Sequence, residues 1–164
     1  MMPSDLRIEE ADPGSAEAKW CLDQYYAELR SRFEEGFDAS RSVVADSGEF
    51  LRPTGVFLVA SLHGRLIGCG AVRLTSKDIG YIKRMWIDSS QRGLGLGRAL
   101  LRALEDAARD LGCSIAQLET NRSLTGAIQL YRTSGYREVE PFNDEYYAHH
   151  WFEKDLMADQ PLGG

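Results

Sequence analysis

The hydrophobic and polar positions along the chain predict a mixed fold of class α/β (α+β) that begins with a strand and a helix. Leu6 to Glu10 alternates apolar and polar side chains, as a half-buried strand does. Ala18 to Arg32 repeats apolar positions at helical spacing, and a second short helical piece is predicted near Arg41 to Asp46. Three strands are predicted next, at Val56 to Leu62, Leu66 to Leu74 and Gly80 to Asp88. Their short connections predict an antiparallel meander.

The second half of the chain alternates helices with strands. A helix follows Gly97, with an apolar stripe at Leu100, Leu104, Ala107, Ala108 and Leu111. The strand from Ile115 to Thr120 must run parallel to the strand before that helix, because a full helix separates the two. A short helix from Ser123 to Thr133 follows, and the last strands are predicted at Tyr136 to Val139 and Tyr146 to Phe152. The predicted order is β-α-α-β-β-β-α-β-α-β-β, with helices flanking a mixed sheet. At 164 residues we expect a single domain, 1–164.

Three glycines at alternate positions separate the third meander strand from the long helix. A glycine lacks Cβ, so the backbone can approach a ligand closely and adopt a positive φ. The start of the following helix offers unpaired N–H groups and a positive dipole end, which favour an anion. The stretch therefore predicts a pyrophosphate cradle formed by Arg92, Gly93, Leu94, Gly95, Leu96, Gly97 and Arg98.

Several glycine patterns compete for this stretch. A Walker loop is excluded because no Gly-Lys-Ser/Thr follows. A dinucleotide fingerprint G-x-G-x-x-G fits Gly93 and Gly95, but Arg98 stands at its third glycine, and an antiparallel meander is not how a dinucleotide-binding fold begins. Glu119 would be the ribose-binding acid in that interpretation. A plain strand-to-helix turn is the remaining alternative, although each glycine weakens a helix start by roughly 0.5–1 kcal/mol. The pattern Q/R-x-x-G-x-G/A is met in register by Arg92, Gly95 and Gly97.

The glycine stretch resembles the coenzyme A loop of the GNAT acyltransferase superfamily. The segment Glu119-Thr120-Asn121, followed by Ala127, Tyr131 and Gly135-Tyr136, resembles the second motif of that superfamily. The resemblance covers Val56 to Leu156. A small Ala127 would let the pantetheine arm pass beside its helix. Many members have Asn where this chain has Leu124, so Asn121 or Ser123 is expected to bind the coenzyme instead.

The resemblance implies direct transfer of an acetyl group from acetyl-CoA to a primary amine through a tetrahedral intermediate, without a metal. Backbone N–H groups around Met85, Trp86 and Ile87 would hold the oxyanion and the pantetheine. Tyr131 would protonate the departing thiolate. Glu119 is the first candidate for the general base, and the candidates behind it are Glu34, Glu35, His149 and His150. A water chain ordered by the backbone is the alternative, and it would need none of them.

The charge and the composition indicate which kinds of binding partner the chain favours. The net charge of −6 disfavours nucleic acid and suits a cationic amine acceptor. Acidic and aromatic residues interleave between positions 25 and 38, which indicates either an acidic, aromatic-lined cleft or a solvated helix face with ordinary core aromatics. They are Tyr25, Tyr26, Glu28, Phe33, Glu34, Glu35, Phe37 and Asp38.

No apolar run reaches the roughly 20 residues of a membrane span, so no membrane association is expected. The three cysteines, Cys21, Cys69 and Cys113, are widely spaced, which argues against a disulfide framework or a zinc site and predicts reduced thiols in the cytoplasm. A homodimer stays open. Two other functions also stay open: an acyl-CoA-binding sensor or partner module without turnover, and a dinucleotide-binding protein.

Overall fold

The computed structural model describes residues 5–41, 47–93 and 95–158. The strands within these ranges are β1 (Leu6–Glu10), β2 (Gly55–Leu62), β3 (Arg65–Leu74), β4 (Ile79–Ile87), β5 (Ile115–Thr120), β6 (Arg137–Val139) and β7 (His150–Asp155). The α-helices are α1 (Ala16–Arg32), α2 (Leu96–Asp110) and α3 (Thr125–Thr133). Short 3-10 turns lie at Ala39–Arg41, Ser47–Phe50 and Ser89–Gln91.

All seven strands form one sheet in the order β1-β2-β3-β4-β5-β7-β6. Strands β1 to β4 pair antiparallel with their neighbours, whereas β4 and β5 pair in parallel. Strand β7 inserts between β5 and β6, antiparallel to both. The predicted class, the meander and the parallel pair are therefore confirmed.

One predicted strand begins later than expected, and one predicted helix falls largely outside the described residues. The last strand begins at His150 rather than at Tyr146, because the preceding residues turn: the Ala148 N–H donates to the Glu145 carbonyl at 3.2 Å and the His149 N–H to the Thr120 carbonyl at 3.0 Å. The helical piece predicted near Arg41 to Asp46 falls largely on residues 42–46, which lie outside the described residues.

The sheet carries a hydrophobic core on each face. Helix α2 covers one face with its apolar stripe, and Leu100, Leu101 and Leu104 are at most 1% exposed. The stripe predicted from the sequence is thus the buried face of the helix. Helix α1 covers the other face, where Ala18 and Cys21 pack with the buried residues of a second cluster. Burial of apolar surface, at about 25 cal/mol per Å², stabilises both layers.

The parallel pair separates after three residues. Pairing joins Ile79 to Ile115, Gly80 to Ala116 and Tyr81 to Gln117, and then stops. Beyond this point β4 continues beside β3, and β5 continues beside β7. A β-bulge accompanies the separation: Trp86 faces Cys69 and Lys83 faces Ala71, and Arg84 between them has φ +58°. The diverging strands leave a cleft inside the sheet.

Candidate active site

The cleft between β4 and β5 is a cavity of about 140 Å³. Aromatic rings line much of it: Tyr25 and Tyr26 from α1, Phe33 and Phe37 after α1, and Tyr147 before β7. The strands contribute residues 82–85 and 118–120, and α3 contributes Ala127 and Tyr131. Residues from five separate segments therefore meet in one place.

The glycine loop has the geometry of an anion site. Gly93 and Gly95 have φ +83° and +78°, in the left-handed region that glycine adopts without strain. Gly95 is the N-cap of α2 without a side-chain cap, and the first turn of the helix carries no acidic residue. The first N–H groups of α2 are therefore left for a ligand. A Cβ on Gly97 would meet only Leu130 Cδ2, at 3.4 Å, so the protein's own packing does not require glycine there.

The two arginines of the loop bind protein groups with their side chains. The Arg92 guanidinium donates to the Ile87 carbonyl at 3.0 Å and pairs with Glu28 of α1. The Arg98 guanidinium donates to the Thr133 carbonyl at 3.1 Å and to its hydroxyl at 2.9 Å. Both side chains hold neighbouring elements around the loop. A contact of Arg98 with pyrophosphate would accordingly use its backbone N–H, whereas the Arg92 backbone N–H already donates to the Ser89 carbonyl at 3.4 Å.

Of the remaining residues predicted to bind the coenzyme, some lie at the cavity and others lie in the hydrophobic core. Leu96 is 2% exposed and anchors the start of α2 in the core, and Leu94 lies outside the described residues. On β4, Met85 is among the cavity residues and also packs against the core on the α2 side. Trp86 instead packs its ring edge-on against Trp20 at 6.0 Å, and Ile87 belongs to the core on the α2 side. Trp86 and Ile87 can reach a ligand in the cleft only through their backbone.

Asn121 fixes the turn into α3. Its Nδ2 donates to the Tyr147 carbonyl at 2.7 Å, and its Oδ1 accepts the Ser123 N–H at 2.8 Å. These bonds place Leu124 and Ala127 at the cavity and hold Tyr147 opposite them. The predicted contact of Asn121 or Ser123 with the coenzyme stays a prediction.

Tyr131 is a buried side chain at the wall of the cavity. It is 7% exposed, and its ring packs against Tyr136 and Phe152 at 6.0 and 5.9 Å between centroids. Burial, with a smaller effect from the Glu119 carboxylate, raises the pKa of Tyr131 well above its ordinary value. The hydroxyl therefore stays protonated and can act as a donor.

Glu119 is the carboxylate on β5 at the same cavity. The Tyr81 hydroxyl donates to its Oε1. Its Oε2 is buried and has no hydrogen-bond partner among the described residues. Burial raises the pKa of Glu119, and the Tyr81 hydrogen bond and the Lys83 charge oppose that rise. An acceptor oxygen left without a donor costs about 1–3 kcal/mol, so the Glu119 carboxylate keeps an unused capacity to accept a hydrogen.

The acidic side chains predicted as a cleft near α1 lie elsewhere. Glu28 pairs with Arg92, Glu34 pairs with Arg122 at 3.7 Å, and Asp38 accepts from Ser40. Of that region, the aromatic residues line the main cavity and the acids do not. The carboxylates at the cavity are Glu119 and Glu145.

The other base candidates also lie outside the main cavity. Glu34, Glu35 and His149 line a second hollow of about 250 Å³ on the far side of Tyr147. The His149 Nδ1 accepts the Arg122 N–H at 3.0 Å, and burial lowers the pKa of His149. His150 pairs with Glu138 at 2.8 Å. Among the predicted bases, Glu119 alone reaches the cavity lined by Tyr131.

Sequence reasoning missed Tyr81, Asn143, Glu145 and Tyr147. Tyr81 and Glu119 lie on paired parallel strands, and Asn143 donates to the Tyr81 hydroxyl at 3.1 Å. Alternation would have placed Tyr81 and Lys83 on one face of β4. The facing residues of β5, however, depend on a register that the sequence does not display.

The thiols of Cys21, Cys69 and Cys113 are all buried and unbridged. Within the described ranges no three or more His, Cys, Asp or Glu side chains are grouped as metal ligands would be. No helix in those ranges has the length and apolar character needed to cross a membrane.

Comparison with known proteins identifies the family. A profile described as "Acetyltransferase (GNAT) family" matches residues 21–136, which is more than half of the chain. The chain is 35% identical to the IAA acetyltransferase of Azospirillum brasilense over 122 residues, covering 74% of this chain and 75% of that protein. It is 30% identical to the mycothiol acetyltransferase of Thermomonospora curvata over 136 residues, covering 82% of this chain and 45% of the relative.

Solved structures agree with this result. A GNAT acetyltransferase of Staphylococcus aureus matches with a TM-score of 0.74 at 18% identity, covering 92% of this chain and 99% of that one. A GNAT acetyltransferase of Elizabethkingia anophelis with acetyl-CoA bound matches with a TM-score of 0.64 at 15% identity, covering 93% and 99%. At these identities the likeness shows the fold alone. The family profile, the relative from Azospirillum and the shared fold together show that the chain belongs to the GNAT family of acetyltransferases.

Proposed function

We propose that this chain, as a single acetyltransferase domain, transfers an acetyl group from acetyl-CoA to a primary amine that arrives as a cation. The observation that carries the proposal is the buried Glu119 carboxylate, which lines the same cavity as Tyr131 and whose Oε2 has no donor among the described residues. A substrate ammonium that reaches the carboxylate would supply a donor. A base and an acid would then stand on either side of one reacting centre.

The glycine loop supports acetyl-CoA as the acetyl donor. Acetyl-CoA supplies an activated acetyl group as a thioester and an anionic pyrophosphate that identifies its binding site. The left-handed Gly93 and Gly95 and the uncapped start of α2 suit the pyrophosphate. Ala127 and Tyr131 line the cavity, and backbone N–H groups near Met85 are the proposed donors to the thioester oxygen.

The proton balance assigns one role to each side chain. The Glu119 carboxylate takes one proton from the ammonium, which frees the nitrogen lone pair to attack the carbonyl carbon directly. As the C–S bond breaks, Tyr131 gives its proton to the sulfur. The second excess proton on nitrogen passes to solvent, Tyr131 regains a proton, and Glu119 releases the one it took. Each turnover converts an ammonium and a thioester into an amide, a thiol and one released proton.

The residues of the cavity wall support a cationic amine as the acceptor. Aromatic faces attract cations, with about 0.5–2 kcal/mol for each favourable contact. Tyr25, Tyr26, Phe37 and Tyr147 supply such faces, and Glu119 with Glu145 supplies negative charge. The named relatives differ in acceptor, so the cation preference rests on this wall rather than on any one relative.

A coupled assay tests the proposal. Thiol release from acetyl-CoA is followed with a panel of amines at several pH values, in the wild type and in Glu119→Gln. A base must be deprotonated, so activity should be present above the pKa of Glu119 and lost as the pH falls through it. Glu119→Gln should lower kcat/KM by about 10²- to 10⁴-fold while CoA binding, measured by calorimetry, is retained.

Gln117→Leu is the matched control. Gln117 lies two positions earlier on β5 and donates to Glu153 Oε1 at 2.9 Å, away from the cavity. This variant should keep the wild-type kcat/KM. CoA binding without thiol release for any amine would instead assign the chain as an acyl-CoA-binding module.

A further inference from the structure

We propose that Asn143 is a positioning residue that sets the direction of a hydrogen-bond chain through Tyr81, so that Oε1 of Glu119 is held as an acceptor and the carboxylate is ready to receive the substrate proton. The inference rests on the proposed function above. It concerns a residue in the loop before β7 that does not line the cavity.

The orientation of the Asn143 amide is determined by its neighbours. Its Oδ1 accepts the Trp151 Nε1–H at 2.9 Å and the Glu145 backbone N–H at 3.2 Å. An indole N–H and a backbone N–H can only donate, so the group facing them must be the amide oxygen. The amide nitrogen therefore points at Tyr81, and its Nδ2 lies 3.1 Å from the Tyr81 hydroxyl oxygen.

The Tyr81 hydroxyl then has only one arrangement. Its oxygen accepts a hydrogen from Asn143, so its own single hydrogen goes to Glu119 Oε1. Oε1 is thereby held as an acceptor. Oε2 is the remaining oxygen, and it is the one without a partner among the described residues. The indole N–H of Trp151 and the backbone N–H of Glu145, which both donate to Asn143, thus determine through Tyr81 that Glu119 Oε1 accepts a hydrogen bond.

Several charged or titratable groups surround this chain. They are Tyr81, Lys83 and Arg84 from β4, Arg73 stacked over the Tyr81 ring, Tyr25 from α1, Tyr131 from α3 and Glu145 from the loop before β7. The Tyr81 hydrogen bond, the Lys83 charge and a smaller direct effect of the Asn143 amide favour the ionised form of Glu119, whereas Glu145 disfavours it. Loss of the Tyr81 donor should therefore raise the pKa of Glu119.

Two near-isosteric substitutions test the direction of the chain. In Tyr81→Phe the donor to Oε1 is removed. In Asn143→Asp a carboxylate oxygen replaces the amide nitrogen, so the Tyr81 hydroxyl should turn and donate to residue 143 instead. Both changes should move the acid limb of the kcat/KM profile to higher pH by about one unit, which is a roughly tenfold loss below the limb.

The double variant separates this role from a purely electrostatic one. Asn143→Asp also adds a charge, which acts whether or not Tyr81 carries a hydroxyl. In the Tyr81→Phe background, Asn143→Asp should therefore move the limb less than it does in the wild type. Equal shifts in both backgrounds, or no shift in Tyr81→Phe alone, would overturn the inference.

Two controls identify the source of a failure. Gln117→Leu breaks a hydrogen bond on the same face of β5 and should leave the limb in place. If Asn143→Asp does not fold, Asn143→Ala takes its place in both backgrounds, since it removes the Nδ2 donor to Tyr81 without adding a charge. Absence of acetyl transfer in the wild type refutes the proposed function, whereas an active wild type with an unmoved limb in Tyr81→Phe refutes this inference.

Discussion

Substituting Gly97 by Glu should strengthen the protein and abolish coenzyme binding at the same time. Gly97 lies in the first turn of α2, and its missing Cβ has only Leu130 nearby, at 3.4 Å. Replacing a helical glycine contributes about 0.5–1 kcal/mol. A carboxylate in the first turn, which has no acid at present, adds about 0.3–1 kcal/mol. The free energy of unfolding should therefore rise by about 1 kcal/mol, and the Tm of the free protein by roughly 2–4 °C.

The effect on CoA should have the opposite sign. The added side chain fills the space beside the first N–H groups of α2 and places a negative charge where the pyrophosphate would bind. Loss of two hydrogen bonds to a charged group, at about 1.5 kcal/mol or more each, corresponds to at least a 100-fold weaker Kd, because about 1.4 kcal/mol is tenfold.

Calorimetry with CoA and thermal unfolding without it measure the two effects separately. Gly97→Gln has the same bulk without the charge and should lose less CoA affinity than Gly97→Glu. Gly97→Ala satisfies the G/A position of the loop pattern, so it should gain stability and keep CoA binding. Near-normal CoA affinity in Gly97→Glu would remove the glycine loop from the coenzyme site. A fall in Tm would show that α2 needs glycine at residue 97 for its own packing.

Two further substitutions test the acid and the core. Tyr131→Phe should lower kcat and kcat/KM together by about 10- to 1,000-fold with little change in CoA affinity, and a wild-type kcat at saturating amine would show that the hydroxyl is a bystander. Glu105→Gln should remove the negative charge that lies 3.1 Å from the buried Lys154 ammonium. It should lower the free energy of unfolding by about 3–5 kcal/mol in urea titrations, and an unchanged midpoint would contradict that assignment.

The order of elements and the glycine loop could be predicted from the sequence because they depend on local properties. Apolar periodicity places the stripe of α2, and a helix-length connection requires β4 and β5 to be parallel. The positive φ angles of Gly93 and Gly95 agree with the expectation that glycine is needed at this turn. The last strand was placed too early because Tyr146 and Tyr147 have the composition of a strand, while the hydrogen bonds of Ala148 and His149 turn the chain.

The working arrangement of the site was decided only by the tertiary structure. Arg92 and Arg98 belong to a loop pattern, yet their side chains bind Glu28 and Thr133 from distant segments. Glu119 could be named as a base candidate, but the bond from Tyr81 spans 38 positions and the bond from Asn143 to Tyr81 spans 62. Such contacts depend on strand register and on where β4 and β5 diverge. Neither leaves a local pattern in the sequence, because both result from the packing of the whole sheet.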